Sequence, residues 1–242
     1  MQRFIPILMY HQIGVPAGKG SPYRGLTVHP ADFRRQMRWL HRFGYRGLSM
    51  RDLMPYLRGE RQGKVFGITF DDGFRNVHQN AMPVLQALGF TATNYFVAER
   101  LGGSNDWDAA HGVPASPLMN VDEMRQWAQA GHEVGSHTLD HVHLPELTPE
   151  AARTQIAESR RRLEALSGGP VKAFCYPYGE YRPEHLDMVR AAGYDNATLT
   201  RRGLATADSD AFGLPRVLVA RSTGLLSFLR KTLTAYEHRR RR

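Results

Sequence analysis

Along 242 residues, short apolar or β-branched runs alternate about seven times with segments whose apolar residues recur at helical spacing. Two parallel strands can be joined only by a crossover of a dozen or more residues, so a βαβα alternation of this kind points to a mainly parallel sheet covered by helices. Strands are expected at residues 4–10, 48–49, 65–70, 91–97, 132–137, 171–176, 197–199 and 214–219. Helices are expected after Pro30, with Phe33, Met37 and Leu40 inward, and over 52–57, 74–88, 122–130, 148–168, 183–192 and 225–233. Pro83 interrupts the third of these and marks a kink or a fresh start. Thr148 can cap the helix that begins at Pro149, Ala152, Ile156, Leu163 and Leu166 make its apolar stripe, and Arg160, Arg161 and Arg162 read as its solvated face. No halfway division of the pattern is visible, which favours a closed barrel over an open doubly wound sheet. One domain is expected over residues 1–238, followed by a basic tail at 239–242.

Composition narrows the class further. With 42% hydrophobic and 23% charged residues, neither a disordered nor a fibrous chain is indicated. The formal net charge is +9, and four of those charges are the terminal arginines at 239–242. The remaining excess reads as an unspecialised basic surface, and no zinc finger, RNA-recognition signature or basic heptad pattern suggests a nucleic-acid partner. The single cysteine, Cys175, excludes an intrachain disulfide and reads as a small buried residue beside Phe174. No stretch has the length needed to span a bilayer. The N-terminal residues 1–10 hold a short apolar run without a small-residue cleavage site and read as the first strand. The corresponding expectation is a cytoplasmic protein, or an exported one whose leader was removed.

Chemistry concentrates at three strand ends. The run Val65-Phe66-Gly67-Ile68-Thr69-Phe70 stops at Asp71-Asp72-Gly73, two carboxylates and a glycine where an α/β fold places its active site. Successive side chains of a strand face opposite ways, so Asp71 and Asp72 should do different jobs; an ordinary Asp-Gly turn is the plain alternative. The second cluster is Ser136-His137-Thr138-Leu139-Asp140-His141. A helical turn there would set His137 and His141 on one face, and two imidazoles with Asp72 as third ligand make a divalent-metal site with open positions. The third cluster, Phe174-Cys175-Tyr176-Pro177-Tyr178-Gly179, offers a backbone N–H to a developing oxyanion or is only a turn. Between the first two clusters lies a long polar loop, residues 99–119, in which Trp107 is either a stacking platform for a sugar ring or a core anchor.

These motifs, in this order, resemble the polysaccharide deacetylase family, carbohydrate esterase family four. With Leu8-Met9-Tyr10-His11 at one end and Leu214-Pro215-Arg216 at the other, the resemblance spans nearly the whole chain and is closest to the subgroup of exopolysaccharide poly-N-acetylglucosamine deacetylases. It implies a distorted (β/α) barrel of about seven repeats and metal-dependent removal of N-acetyl groups from an amino-sugar polymer. It further implies Asp71 as catalytic base and Asp72, His137 and His141 as ligands of a divalent metal, zinc above all, with cobalt, nickel or manganese as alternatives. The Tyr178 N–H would assist the oxyanion; apart from the resemblance, Trp107, Tyr176 and Pro177 are the candidate sugar contacts. Two departures stand out. Cys175 occupies the place of the Arg that usually orients the base, and the usual late His of the general acid is absent. By similarity to the subgroup, Arg216 is expected to orient Asp71 and His11 to serve as acid. A hydrolase of a non-sugar amide or formamide, and a sugar-binding module without catalysis, are the competing readings.

Overall fold

The computed structural model describes residues 4–240. Its strands are β1 (Ile7–Tyr10), β2 (Gln12–Ile13), β3 (Thr27–Val28), β4 (Arg46–Leu48), β5 (Val65–Phe70), β6 (Thr93–Phe96), β7 (Glu133–Ser136), β8 (Ala173–Cys175), β9 (Asn196–Arg202) and β10 (Leu214–Leu218). Its helices are α1 (Pro30–Arg42), α2 (Met50–Leu57), α3 (Arg75–Asn80), α4 (Met82–Ala87), α5 (Val121–Gln129), α6 (Pro149–Ser167), α7 (Pro183–Ala191), α8 (Leu225–Leu233) and α9 (Tyr236–Arg239).

Seven strands close into an all-parallel barrel. The order runs β1-β10-β9-β8-β7-β6-β5, and β5 returns to pair with β1 from Ile7↔Gly67 to Tyr10↔Phe70. The distortion sits at β5. On its far edge β4 pairs with the first half (Arg46↔Val65 to Leu48↔Gly67), while β6 reaches only the end (Thr69↔Thr93, Phe70↔Asn94). β2 and β3 form a separate two-strand ribbon in the loop after β1. Both faces of the barrel wall are covered, so β5 is buried at all six residues and its sequence is a continuous rather than an alternating apolar run.

The barrel interior is narrow. Ile7, Tyr95, Ala173, Cys175 and Leu214 belong to one buried cluster there. A Cβ on Gly135 would lie 2.5 Å from the Tyr95 ring, so only glycine leaves room for that tyrosine. Outside, the predicted apolar stripe of α1, Phe33, Met37 and Leu40, is fully buried. Thr148 caps α6 by accepting from Ala151 N, and Gly168 ends it in a left-handed conformation, φ 75°.

Several elements differ from the sequence-based expectation. The fresh helix start that Pro83 suggested is present, but residues 74–88 divide at Ala81, ahead of the proline. Asn120, with Glu123 in a reciprocal capping box, starts α5 one residue before the expected region. Arg160 is not part of a solvated face: its guanidinium donates to the carbonyls of Val171 and Ala192 and ties α6 to the loops before β8 and after α7. Part of the expected tail is structured as well, because Arg239 belongs to α9, whose Glu237 is buried against Arg202. Arg241 and Arg242 of that tail, and residues 1–3 ahead of the strand expected at 4–10, lie outside the described residues. Among the described residues no helix is long and apolar enough to cross a membrane.

Candidate active site

β5 delivers its two carboxylates at the C-terminal mouth of the barrel. Asp71 continues the strand, its N–H donating to Tyr10 O at 3.0 Å. At Asp72 and Gly73 the backbone turns left-handed, φ 74° and 77°, a conformation that Asp tolerates better than bulky residues. The turn separates the two acids, and each meets a different set of partners.

Asp71 meets Arg216, which β10 brings to the barrel axis completely buried. Nη1 donates to Asp71 Oδ1 at 2.6 Å and Nη2 to Oδ2 at 2.7 Å, a bidentate fork. The other guanidinium protons are also engaged: Nε donates to Leu199 O, Nη1 to Thr69 Oγ1 and Nη2 to Cys175 Sγ. All five N–H donors therefore have acceptors, which is what a guanidinium needs to stay charged away from water. Burial pushes the Asp71 carboxyl upward, but the adjacent Arg216 charge outweighs it and holds the group below the usual carboxylate range. His11, at the end of β1, lies with Nε2 at 3.8 Å from Asp71 Oδ2.

Asp72 meets the two histidines. The stretch from His137 to His141 is a tight turn and not the helical turn that the i, i+4 spacing suggests. Thr138 and His141 are left-handed, φ 67° and 59°, and Thr138 Oγ1 accepts from His141 N at 3.0 Å. Gln155 of α6 accepts from the N–H groups of Leu139 and Asp140 and pins the turn. The two imidazoles still converge, edge to face at 4.8 Å. His137 Nδ1 lies 2.7 Å from Cys175 O, and a carbonyl only accepts, so that nitrogen carries the proton and Nε2 presents its lone pair. This lone pair faces Asp72 Oδ1 at 3.5 Å, and His141 Nε2 faces the same oxygen at 3.3 Å.

Asp72 Oδ1 is buried and has no hydrogen-bond partner. A buried carboxylate oxygen and two imidazole nitrogens turned toward one another call for positive charge among them, a proton or a metal ion. The three ligand atoms lie within 4.8 Å of one another, and one carboxylate with two imidazoles suits a divalent transition metal. The residues therefore fit such an ion.

The third cluster closes the wall. Tyr178 is left-handed (φ 59°), its ring lies parallel to His143 at 3.9 Å and edge-on to His141 at 4.6 Å, and its hydroxyl donates to Asp108 at 3.3 Å. Gly179 packs so closely that a Cβ would lie 1.9 Å from Thr200 Oγ1. Trp107 stacks on His141 at 4.6 Å, with its ring turned 21°. Tyr176 donates its hydroxyl to Phe212 O.

Every predicted site residue except Pro177 lines one cavity of about 550 Å³; Pro177 is buried but does not contribute to that lining. Sequence reasoning missed Asp108, buried beside Trp107 in the same cavity, and the Arg202–Glu237–Lys231 cluster on its opposite wall. Asp108 had only its neighbour Trp107 as a signal. The cluster had none, since Arg202 at the end of β9 is about thirty residues or more from Lys231 of α8 and Glu237 of α9.

The family model described as polysaccharide deacetylase matches residues 58–197, a span that contains Asp71, Asp72, His137, His141 and Tyr178 but neither His11 nor Arg216. The Bacillus subtilis protein YxkH is 30% identical over 218 residues, covering 89% of this chain and 71% of that protein. The poly-beta-1,6-N-acetyl-D-glucosamine N-deacetylase of Staphylococcus epidermidis is 22% identical over 204 residues, covering 81% of this chain and 69% of the other. Among solved structures, the Streptococcus pyogenes deacetylase PplD in complex with acetate superposes with a TM-score of 0.82 at 25% identity, covering 96% of this chain and 99% of that one.

Proposed function

The chain belongs to the polysaccharide deacetylase family, and we propose that it hydrolyses the N-acetyl groups of an amino-sugar poly- or oligosaccharide with the help of a divalent cation, releasing acetate. The observation that carries the reading is the division of labour between the adjacent carboxylates: Asp71 is gripped on both oxygens by a buried Arg216, and Asp72 faces two imidazoles. A site built only to bind would have no use for the first of these.

Asp72, His137 and His141 would hold the cation, which when bound lowers the pKa of a water and polarises the amide carbonyl. Asp71, kept ionised by Arg216, takes the proton of the attacking water. Arg216 fixes the plane of that carboxylate through its two hydrogen bonds. The Tyr178 N–H supports the oxyanion of the tetrahedral intermediate. His11, 3.8 Å from Asp71, carries the proton that the departing amine nitrogen takes as the C–N bond breaks. Trp107 and Tyr176 line the space where sugar rings would stack.

The reading of substrate rests on the relatives: the S. epidermidis protein is named for poly-beta-1,6-N-acetyl-D-glucosamine, and PplD is described in complex with acetate. The test is acetate release from β-1,6-linked N-acetylglucosamine oligomers. Steady release supports the proposal. Hydrolysis of a formamide or a non-sugar amide with no acetate from the oligomers contradicts it and selects the competing hydrolase. Binding of the oligomers without any hydrolysis selects a sugar-binding module.

A further inference from the structure

The chain's positive charge is not spread as evenly as its composition suggests. Between residues 30 and 64 nine Lys and Arg stand against three Asp and Glu, so six of the nine net charges fall in this segment. It comprises α1, β4, α2 and the approach to β5. The three acids are already engaged, Asp32 by Arg35, Asp52 by Arg51 and Glu60 by Arg58. Arg38, Arg42, Arg46 and Lys64 are exposed and are left without a carboxylate within ion-pair distance among the described residues.

Two of these cations, Arg42 and Lys64, lie over aromatic rings, Arg38 is one turn from Arg42 on α1, and Arg46 donates to the Tyr56 hydroxyl. Trp39 and Phe43, 36% and 39% exposed, lie 5.5 Å apart on the outer side of α1 at its C-terminal end. The Arg42 guanidinium sits 6.0 Å from the Trp39 ring. Lys64 Nζ donates to Phe43 O and lies 5.9 Å over Tyr45, and Arg46 N donates to Lys64 O. The result is one continuous seam of rings and cations. It stands at the N-terminal end of the barrel, because Arg46 begins β4 and Lys64 precedes β5, whereas Asp71 and Asp72 leave β5 at the other end, about 20 Å away at the rise of a strand.

We propose that this seam docks the protein on an anionic phospholipid bilayer. Trp39 and Phe43 enter the interfacial layer, and Arg38, Arg42, Arg46 and Lys64 meet the lipid phosphates. A polyanion such as a nucleic acid would be held by the cations alone. Partly exposed aromatic rings among cations instead match the boundary between headgroups and acyl chains, where amphipathic side chains gain most. Docked this way, the mouth that holds Asp71 and Asp72 faces away from the membrane, open to a polymer.

The test is flotation of the full chain with vesicles of phosphatidylcholine alone and of equal parts phosphatidylcholine and phosphatidylglycerol. The protein is expected to float only with the anionic vesicles. It should be released as salt rises from about 0.1 M to about 1 M, where the screening length falls from about 10 Å to about 3 Å. Neutralising Arg38→Gln or Arg42→Gln should weaken partitioning about fivefold each, and about thirtyfold together. Trp39→Ala with Phe43→Ala should abolish flotation, while the variant stays folded at the assay temperature and acetate release from soluble oligomers stays at the wild-type level. Equal flotation with both vesicles, no flotation at low salt, or capture that needs the arginines but survives loss of both rings would each overturn the proposal; the last would assign the seam to a polyanion.

Discussion

Asp71→Asn is expected to lower acetate release by about a thousandfold, within the range seen when a positioned general base is removed. The substitution keeps the shape of the side chain and leaves Asp72, His137 and His141 in place, so the variant should still bind one divalent cation per chain. The geometry predicts a second, smaller effect. Arg216 Nη1 and Nη2 each point at an Asp71 oxygen, and an amide offers only one acceptor, so one guanidinium N–H would face an NH₂. A mismatch of this kind costs about 1–3 kcal/mol of stability. Turnover and cation stoichiometry are measured on the same preparation. Loss of turnover with cation retained is the expected pattern. Full activity in Asp71→Asn would remove this residue from the proton-transfer step.

Arg216→Met is expected to be the most destabilising single change in the site. Methionine fills much of the same volume but leaves the Asp71 carboxylate buried without its cation, which costs about 3–5 kcal/mol when one partner of a buried pair is removed. It also strips a donor from Thr69, Leu199 O and Cys175. The pH dependence has a definite sign. In the wild type the Asp71 carboxyl is held low, so the contribution of the pair is fully present above the unfolded carboxyl pKa of about 3.9 and is lost as pH falls through the lower folded value. In Arg216→Met the burial, which raises the carboxyl, is opposed only by the smaller lowering from His11 and His137. Its penalty is then relieved as pH falls and the group protonates, so the stability gap between variant and wild type should narrow from neutral pH toward about pH 4. Denaturant unfolding at both pH values measures this. A gap that stays below about 1 kcal/mol at neutral pH would mean that the pair is not the buried bridge described here.

How much of this was legible in the sequence depended on the range of the interaction that decides each feature. β5 and α8 fall where their residues predicted, because a strand buried on both faces and an amphipathic helix write their burial into local pattern. The sharing of one β5 edge by β4 and β6 is a register between distant segments and leaves no local trace. α9 was missed because its four residues, Tyr-Glu-His-Arg, carry no apolar period; it is held by the pairing of Glu237 with Arg202, 35 positions away. In the site, the two carboxylates and two histidines were readable from short motifs, but the His137–His141 spacing suggested a helical turn. The Thr138 hydroxyl and two left-handed residues win locally instead, and bring the rings together by another route. Arg216 and Asp71 are 145 residues apart, and only the resemblance to a family, not any spacing, pointed to their meeting. Cys175 was rightly read as buried, yet its environment gives it more than bulk: the sulfur accepts a hydrogen bond from Arg216, and its carbonyl accepts from His137 Nδ1.

The central claim is that Asp72, His137 and His141 hold a cation on which the hydrolysis depends. The most direct measurement is acetate release from N-acetylglucosamine oligomers by one preparation before chelation, after it, and after zinc or cobalt is returned. Release that stops with the chelator and comes back with about one metal ion per chain is the predicted result. Undiminished release from protein shown to be free of metal would contradict the claim.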